Sequence, residues 1–424
     1  MAQGVAPARR HGGWEAAVPP VKQPMIYLDY NATAPLSASA REAMRPFLHE
    51  HFGNPSSVHA AGRVARAAID EARDRIASCL SAKPHEIIFT SGGTESNNLA
   101  LFGLARRHAN KGKHLVSNRA EHHAVLHAIE QLERGDGYQV TWLDVSAEGL
   151  VDPDQLRRAI RSDTILVSVM SANNETGVIQ QIEEIATVCR ERDVLLHSDM
   201  VQSFGKLEER DVVTAQGHGS ANPVLADAAS FAAHKFYGPK GAGFLYLRAG
   251  IPIDHILFGG AQESERRPGT ENVAAIVGMA AAAEEALRDL PDEPRRQAKL
   301  RDALWRGIER VFPEARENAS RAPRLANTLN VSFPGFDSET MLMALDLEGI
   351  CASSGSACMV GSVVASHVLL AMGLSPERAG CAIRFSLGKE TTVAEIEETI
   401  AAIDRVVRRR NRPRPRVPVE HAKI

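Results

Sequence analysis

The stretch Thr164-Ile-Leu-Val-Ser-Val-Met170 is a nearly continuous apolar run within a chain of 424 residues. Such a run is typical of a strand buried on both faces, as in a parallel sheet covered by helices. A helix-like segment, Gln181 to Arg192, and a second apolar strand, Val194 to Asp199, follow it. Alternation of strand and helix at these lengths predicts an α/β fold with a large, doubly wound and mostly parallel sheet.

The alternation continues on both sides of that run. Further strands are predicted over 86–90, 114–117, 138–144 and 243–248, with helices over 95–109, 120–133 and 272–289. Beyond about residue 290 the rhythm changes to strands over 328–333 and 382–387 and helices over 338–348 and 393–407, which predicts a smaller α+β domain. We therefore expect four parts: a disordered extension 1–24, a large domain 25–290, a small domain 291–407 with an N-terminal contribution, and a basic tail 408–424.

The composition is that of an ordinary globular protein, with 44% hydrophobic and 24% charged residues. A net charge of −3 offers no global field that would favour nucleic acid or a membrane surface. The apolar run Val273 to Ala283 is too short to span a bilayer. Five cysteines without a CxxC pair suit a reducing compartment, so we expect a cytoplasmic protein.

The basic tail contains prolines that forbid helix, and it allows two interpretations. It is a solvated terminus, or it makes an electrostatic contact with an acidic partner or nucleic acid.

The segment Ser91-Gly-Gly-Thr-Glu-Ser96 lies between a predicted strand and a predicted helix. Glycines let the backbone approach a ligand, and the helix start offers free N–H groups, so this turn is a candidate phosphate site. Many glycine-rich turns of this kind bind nothing, and that alternative stays open here.

Two further segments suggest what the phosphate would belong to. Lys235 follows His234 in an apolar segment, where a desolvated amine can form a Schiff base, although most lysines are surface residues. Asp199 ends an interior strand, where it would either bind a protonated ring nitrogen or cap a helix. A phosphate cradle, an aspartate and a Schiff-base lysine at strand ends together predict a pyridoxal 5′-phosphate (PLP) site.

With these residues in view, the chain resembles the cysteine desulfurases of the NifS/IscS type, which have the class V aminotransferase-like form of PLP fold type I. The resemblance runs from about 26 to about 405 and rests on the following segments: Tyr27–Thr33, Phe52–His59, Thr90–Asn98, Glu121-His122, Ala172–Glu175, Gly260–Gln262, Arg267–Asn272, Ser353–Cys358 and Ile383–Leu387.

The resemblance implies roles for individual residues of this sequence. The catalytic residues would be Cys358, Lys235 and His122. The residues binding PLP would be Gly93, Thr94, His122, Asn174, Asp199, Gln202, Ala232, His234, Lys235 and Thr270, the last of these from the second subunit of a homodimer. The substrate L-cysteine would be bound by Arg384 and Asn174, with a bidentate guanidinium on its carboxylate.

Each role has a simpler alternative. His122 can be a satisfied interior histidine, and Arg384 can point outward from an alternating strand. Gln202 and Asn174 can simply satisfy buried backbone groups. The joint pattern favours the functional interpretation over each of these.

Cys358 stands apart from the other cysteines. Cys79, Cys189, Cys351 and Cys381 are expected to be buried and inert. Cys358 lies in a segment of small residues, where a thiolate can attack sulfur and keep it as a persulfide. No metal site is expected, apart from Cys358 as a transient iron–sulfur ligand.

Two departures from the family pattern are visible. Ala232 occupies a position where the family commonly has a serine that binds phosphate, so one hydrogen bond to the cofactor should be missing or replaced. The segment Val212 to Pro223 is lengthened and rich in Gly, Ser, Asn and Pro, which predicts a surface insertion.

The resemblance thus implies a PLP-dependent desulfurase that converts L-cysteine to L-alanine and passes the sulfur of Cys358 to an acceptor, such as an iron–sulfur scaffold protein. The alternatives are a selenocysteine lyase, another class V aminotransferase or lyase, and a non-enzymatic scaffold.

Overall fold

A computed structural model describes residues 25–207, 225–355 and 365–411. The predicted extension 1–24, the predicted insertion 212–223 and Cys358 lie outside the described residues. The strands of the described part are β1 (Ile26–Tyr27), β2 (Ile87–Thr90), β3 (His114–Asn118), β4 (Gln139–Leu143), β5 (Thr164–Ser168), β6 (Leu195–Asp199), β7 (Ala228–Ala232), β8 (Gly243–Leu247), β9 (Arg316–Glu317), β10 (Thr328–Ser332), β11 (Ile350–Cys351) and β12 (Ala382–Ser386).

The α-helices of the same part alternate with these strands. They are α1 (Ala38–His49), α2 (Ala60–Cys79), α3 (Gly93–Arg107), α4 (His123–Gly135), α5 (Pro153–Ala159), α6 (Ile182–Glu191), α7 (Val273–Asp289), α8 (Glu293–Val311), α9 (Ser338–Leu347), α10 (His367–Ala371), α11 (Pro376–Ala379) and α12 (Val393–Asn411). Within the described ranges, none of these helices has the length and apolar character needed to cross a membrane.

Seven strands form the central sheet in the order β2-β8-β7-β6-β5-β3-β4. The pairs from β7 through β4 are parallel, whereas β8 runs antiparallel to both β2 and β7. The carboxyl ends of β2, β3, β5, β6 and β7 therefore meet along one edge of the sheet. In open α/β sheets that edge is where ligands bind.

Helices cover both faces of the sheet. In β2, Ile87 and Phe89 join the apolar cluster of α2, α6 and α7, while Ile88 joins the cluster of α3 and α4. Both faces of the sheet are buried, which is why β5 lacks the polar alternation of a half-exposed strand. The predicted α/β class with a doubly wound, mostly parallel sheet is confirmed.

A second, smaller sheet has the order β12-β10-β9 and is antiparallel throughout. Its apolar cluster includes Phe333 and Phe385, together with residues of α8, α9 and α12. The N-terminal segment also belongs to this cluster, because β1 pairs with β11 and Leu28 is fully buried there. The polypeptide leaves the large sheet through α7, which ends at Asp289.

The predicted end of the last helix at residue 407 is too early. Helix α12 continues through Asn411, so Arg408–Arg410 are helical. The first proline of this region is Pro413, and its steric effect reaches only the residue before it. Ion pairs from Arg408 to Asp404 (2.8 Å) and from Arg409 to Glu348 (2.7 Å) further stabilise the last turn.

Candidate active site

An open cleft with about 970 Å³ of empty space lies at the carboxyl edge of the central sheet. The loops after β2, β3, β5, β6 and β7 form one wall, and Asn31, Gly355 and Arg384 close it from the other side. The predicted site residues that line it are Gly93, Thr94, His122, Asn174, Asp199, Gln202, Ala232, His234, Lys235 and Arg384. The structure thus brings together residues that are spread over almost 300 positions of sequence, from Gly93 to Arg384.

The turn after β2 has the geometry of an anion cradle. Gly92 has φ of 151°, which a residue with a side chain rarely adopts, and a Cβ at Gly93 would lie 2.7 Å from Val201 Cγ2. Helix α3 starts at Gly93, so its first N–H groups and the positive end of its dipole face the cleft. Glu95 holds the turn in place, because its carboxylate accepts from Ser91 N (2.8 Å) and Arg267 Nε (2.7 Å).

Asp199 presents a buried carboxylate at the end of β6. Its side chain accepts from Asn97 Nδ2 (2.7 Å) and from Val201 N (3.0 Å), and the residue is only 4% exposed. Both of these donors are neutral, so they orient the carboxylate without neutralising it. A cationic group of a ligand can therefore still pair with Asp199.

Lys235 and His234 lie in a short 3₁₀ turn, Ala233–Lys235, directly after β7. Lys235 Nζ donates to the carbonyl oxygens of Asn31 and Ala32, both at 2.7 Å, so its amine points into the cleft wall and not to bulk water. Burial, reinforced by the positive charge of Lys235, lowers the pKa of His234 to about 4. At neutral pH His234 is therefore an uncharged ring that can still donate one N–H.

His122 is the N-cap of α4. Its Nδ1 accepts from Ala124 N (3.1 Å), which assigns the proton of the neutral ring to Nε2. Burial lowers the pKa of His122, although the nearby carboxylate of Asp199 opposes this shift. Within the described part of the chain no hydrogen bond is assigned to Nε2, so this nitrogen is available to a ligand.

Gln202 bonds a side chain as well as a backbone group, whereas Asn174 contributes its backbone carbonyl. Gln202 Nε2 donates to Asn31 O (2.9 Å), and its Oε1 accepts from Lys206 Nζ (2.9 Å). Burial and the charge of Lys235 lower the pKa of Lys206 to about 7. The carbonyl of Asn174 accepts from Arg384 Nη1 (2.9 Å), while its side-chain oxygen lacks a partner among the described residues.

Arg384 points inward, and the alternative of an outward side chain on β12 is wrong. The residue is 2% exposed, and its Nη2 donates to Asp29 Oδ1 at 2.6 Å. All five residues of β12 are buried, so the alternation assumed for an exposed face does not apply. The pair with Asp29 fixes the guanidinium while its Nε stays without a partner among the described residues.

Three buried polar atoms of the cleft lining share this unpaired state within the described part of the chain: Asn97 Oδ1, Asn174 Oδ1 and Arg384 Nε. An unsatisfied buried group costs roughly 1–3 kcal/mol, so a polar ligand would stabilise this arrangement. Lys235 and Arg384 add basic groups around the same space. The cleft therefore suits an anionic ligand that has hydrogen-bonding groups.

Some predicted residues lie elsewhere. Thr270 is exposed and does not line the cleft of its own chain, while its neighbour Arg267 is paired with Glu95 at the cradle. Ala232 lines the cleft but offers only a methyl group. No set of three or more histidine, cysteine or acidic side chains in the described ranges is arranged to hold a metal ion.

The expectation that all four other cysteines are fully buried is partly wrong. Cys189 and Cys381 are buried, and burial raises the pKa of Cys189 to about 12. Cys79 and Cys351 are only partly buried, because one is the last residue of α2 and the other lies on the two-residue strand β11.

Sequence reasoning missed several residues of the site. Asn31 and Asn97 both lie in segments that carried the family resemblance, yet they received no role. Lys206 follows Gln202 by four positions, a spacing that places two side chains on one face of a helical turn. That spacing was a usable signal for Lys206, whereas the contacts of Asn31 depend on the tertiary fold.

Known proteins resemble this chain both in sequence and in fold. The aminotransferase class-V family profile matches residues 26–399. A cysteine desulfurase IscS of Dictyoglomus turgidum is 46% identical over 382 residues, covering 90% of this chain and 94% of the relative. A solved structure of a NifS-like protein has a TM-score of 0.81 at 35% identity and covers 91% of this chain and 99% of its own.

A second solved structure, SspA in complex with cysteine, has a TM-score of 0.73 at 34% identity, with coverage of 85% of this chain and 98% of its own. Similarity of this extent in sequence and in fold, over nearly the whole length of each relative, exceeds what a shared architecture alone produces. The chain belongs to the class V aminotransferase family and, within it, to the cysteine desulfurases of the NifS/IscS type.

Proposed function

We propose that this protein is a PLP-dependent cysteine desulfurase. It converts L-cysteine to L-alanine, retains the sulfur as a persulfide on Cys358 and passes it to an acceptor protein. The observation that carries the proposal is the convergence of Lys235, Asp199, the Gly93 cradle and Arg384 on one cleft. The family membership of the chain supports the same activity.

The cleft fits PLP in charge and in hydrogen-bonding groups. Lys235 would hold the aldehyde carbon, and Asp199 would face the pyridine nitrogen. When bound, PLP supplies an electron sink for the carbon next to the amine of an amino acid. The remaining contacts would come from Gly93, Thr94, His234 and Thr270 of the second subunit to phosphate, from His122 to the ring face, and from Gln202 and Asn174 to the phenolic oxygen.

Arg384 would bind and orient the substrate carboxylate. Its Nε has no partner within the described part of the chain, whereas Nη1 and Nη2 are held by Asn174 and Asp29. A guanidinium locked in this way is pre-oriented and loses little side-chain entropy when it binds the carboxylate. His122 would hold or move a proton through Nε2.

Cys358 would act as the sulfur acceptor within the enzyme. Its thiolate attacks the substrate Sγ, so that an S–S bond forms as the Cβ–Sγ bond breaks. The electron pair of the broken bond stays with the substrate carbon, which takes up a proton and becomes the methyl group of alanine. Transfer of the outer sulfur to an acceptor, such as an iron–sulfur scaffold protein, then restores the thiol.

A homodimer is part of the proposal, because Thr270 lies outside the cleft of its own chain. Two exposed apolar side chains near α1 and α2, Phe52 (84% exposed) and Val58 (88% exposed), offer an apolar surface for a second copy. Light scattering should give twice the mass of one chain. A monomer that binds PLP and turns over fully would contradict this assignment.

We also propose a cytoplasmic location, because the chain has few cysteines and no CxxC pair.

The decisive experiment is mass spectrometry of the PLP-loaded protein after incubation with L-cysteine, combined with quantification of alanine. The peptide that contains Cys358 should gain the mass of one sulfur atom, and no other cysteine peptide should gain it. Cys358→Ala should keep the visible absorbance of PLP and lose alanine formation. Unchanged alanine formation in that variant would instead indicate an aminotransferase or a lyase, and a protein that acquires no PLP absorbance would indicate a scaffold.

A further inference from the structure

Glu175 is a buried carboxyl group that the proposed chemistry leaves without a role. It follows Asn174 in the loop after β5 and is 1% exposed. Its backbone is fixed on both sides, since its N–H donates to Asn173 Oδ1 (2.9 Å) and its carbonyl accepts from Asn330 Nδ2 of β10 (3.1 Å). The side chain therefore projects from a rigid position.

The carboxyl group of Glu175 touches two residues that are far from it in sequence. Its Oε2 accepts a hydrogen bond from Ser366 Oγ. The same oxygen lies against the backbone of Gly355, so closely that any Cβ at that position would collide with it. A side chain at position 355 would therefore have to displace this carboxyl group.

Gly355 and Ser366 lie close to each other in space but on opposite sides of the cysteine-bearing segment in sequence. They flank the segment 356–364, which carries Cys358 and lies outside the described residues. Further contacts hold the same two flanks. The backbone N–H of Ser353 donates to the carbonyl of Arg384 (3.1 Å), and the N–H of Arg384 donates to the carbonyl of Ser353 (2.6 Å). On the other flank, His367 Nε2 lies 2.9 Å from Glu121 O.

We propose that Glu175 is a positioning residue for sulfur transfer: its carboxyl group ties together the two flanks of the Cys358 segment at the cleft. The inference rests on the proposed desulfurase function. Holding both ends of a short segment next to the site restricts the positions its thiol can occupy and raises its effective concentration there. Among the described residues, the hydrogen bond of the Glu175 carboxyl group goes to Ser366 and not to the substrate-binding Arg384, although the charge of Arg384 acts on it.

The test is single-turnover persulfide formation in PLP-loaded protein, with L-cysteine binding followed separately from the cofactor spectrum. Glu175→Ala should slow persulfide formation on Cys358 roughly tenfold, because small misplacements of a reacting group are costly, while L-cysteine affinity stays within about twofold. Glu175→Gln keeps an acceptor oxygen for Ser366 and should stay near the wild-type rate. The matched control is Glu86→Ala, a buried glutamate (3% exposed) that precedes β2 and lies away from the cleft.

Ser366 provides the second arm. Ser366→Ala should slow the same step, and Ser366→Thr should preserve it together with the helix cap that Ser366 Oγ provides to Leu369 N (3.2 Å). Combining Ser366→Ala with Glu175→Ala should add less than the sum of the two effects, because both changes remove the hydrogen bond between Ser366 and Glu175. If Glu175→Ala fails to fold, the comparison of Ser366→Ala with Ser366→Thr tests the proposal instead. A readout without cofactor is the alkylation of Cys358 by iodoacetamide, which should become faster in Glu175→Ala.

Three results would overturn the inference: equal rates in Glu175→Ala and Glu86→Ala, a loss of L-cysteine affinity that accounts for the slower turnover, or fully additive effects of the two alanine variants. Failure of the proposed function looks different, because the wild-type protein itself would then form no persulfide.

Discussion

The two walls of the cleft are built in different ways. The wall formed by the central sheet consists of short loops, each of which directly follows a strand, so that Asp199 and Lys235 are positioned by β6 and β7. The opposite wall consists of Asn31 and Arg384, which are held by contacts between distant segments, such as the pair of Arg384 with Asp29 (2.6 Å). The backbone geometry of the first wall follows from local structure. That of the second wall depends on non-covalent contacts between distant segments.

This difference has an energetic consequence. A loop residue at a strand end keeps its place as long as the strand is formed, because the sheet core supports it. A residue held by contacts between distant segments depends on each partner, since removal of one charge leaves the other buried and unpaired. Substitutions in the first wall should therefore change chemistry with little loss of stability, whereas substitutions in the second should change both.

The largest effect is expected in the sheet wall. Lys235→Ala should abolish the visible absorbance of covalently held PLP and reduce turnover roughly 10³-fold or more, because a covalent attachment point is removed. The free energy of unfolding should change little. Absorbance spectra, alanine formation and urea denaturation measure these quantities. The exposed Lys111→Ala is the matched control. A normal cofactor spectrum with unchanged turnover in Lys235→Ala would show that the assignment is wrong.

Arg384→Ala tests the second wall. It should raise KM for L-cysteine roughly 30-fold or more, as expected when one partner of a buried charge pair is truncated. It should also lower the free energy of unfolding, because Asp29 loses its partner. In the double variant with Asp29→Ala, part of the stability should return but the KM should not. Loss of substrate binding without loss of stability would contradict the proposed difference between the walls.

Ala232→Ser adds a hydroxyl group to the sheet wall. If the cofactor phosphate lies at the Gly93 cradle, one new hydrogen bond should tighten PLP binding roughly threefold to tenfold. The dissociation constant can be measured by fluorescence of the apo protein during titration with PLP. Ala233→Ser is the control, because Ala233 packs into the apolar cluster behind the sheet. Equal affinity in Ala232→Ser and wild type would place the phosphate away from residue 232.

The last prediction concerns the pH dependence of the free energy of unfolding, to which the buried Glu121 contributes. Burial raises the pKa of Glu121 from 4.5 to about 8, so the folded protein holds a proton that the unfolded chain releases above pH 4.5. The contribution of Glu121 is fully present below pH 4.5 and is lost as the pH rises through about 8. Glu121→Gln, which mimics the protonated form, should flatten the fall in unfolding free energy between pH 5 and 8. Parallel curves for the two proteins would refute this shift.

Local patterns in the sequence were enough to predict the main residues of the wall formed by the central sheet. The apolar run 164–170 indicated a strand covered on both faces, and Ser91–Ser96, Asp199 and Lys235 stood at strand ends where parallel sheets bind ligands. Helices α1, α2 and α8 were not predicted. The buried residues of α2, which include Ala65, Ile69, Ala72 and Ile76, do recur at helical spacing, so the sequence did carry a signal for this helix.

The amino-acid sequence by itself determined the fold class and placed the Ser91–Ser96 turn, Asp199 and Lys235 at strand ends, because strand ends and glycine turns are local features. The other predicted site residues, such as His122 and Gln202, came from the resemblance to a known family. Only the tertiary structure decided the direction of Arg384, its pairing with Asp29, the place of Asn31 and the contact of Glu175 with Gly355 and Ser366. These contacts join segments more than 100 residues apart. Their geometry follows from the packing of segments that are distant in sequence, which no periodicity within a single segment encodes.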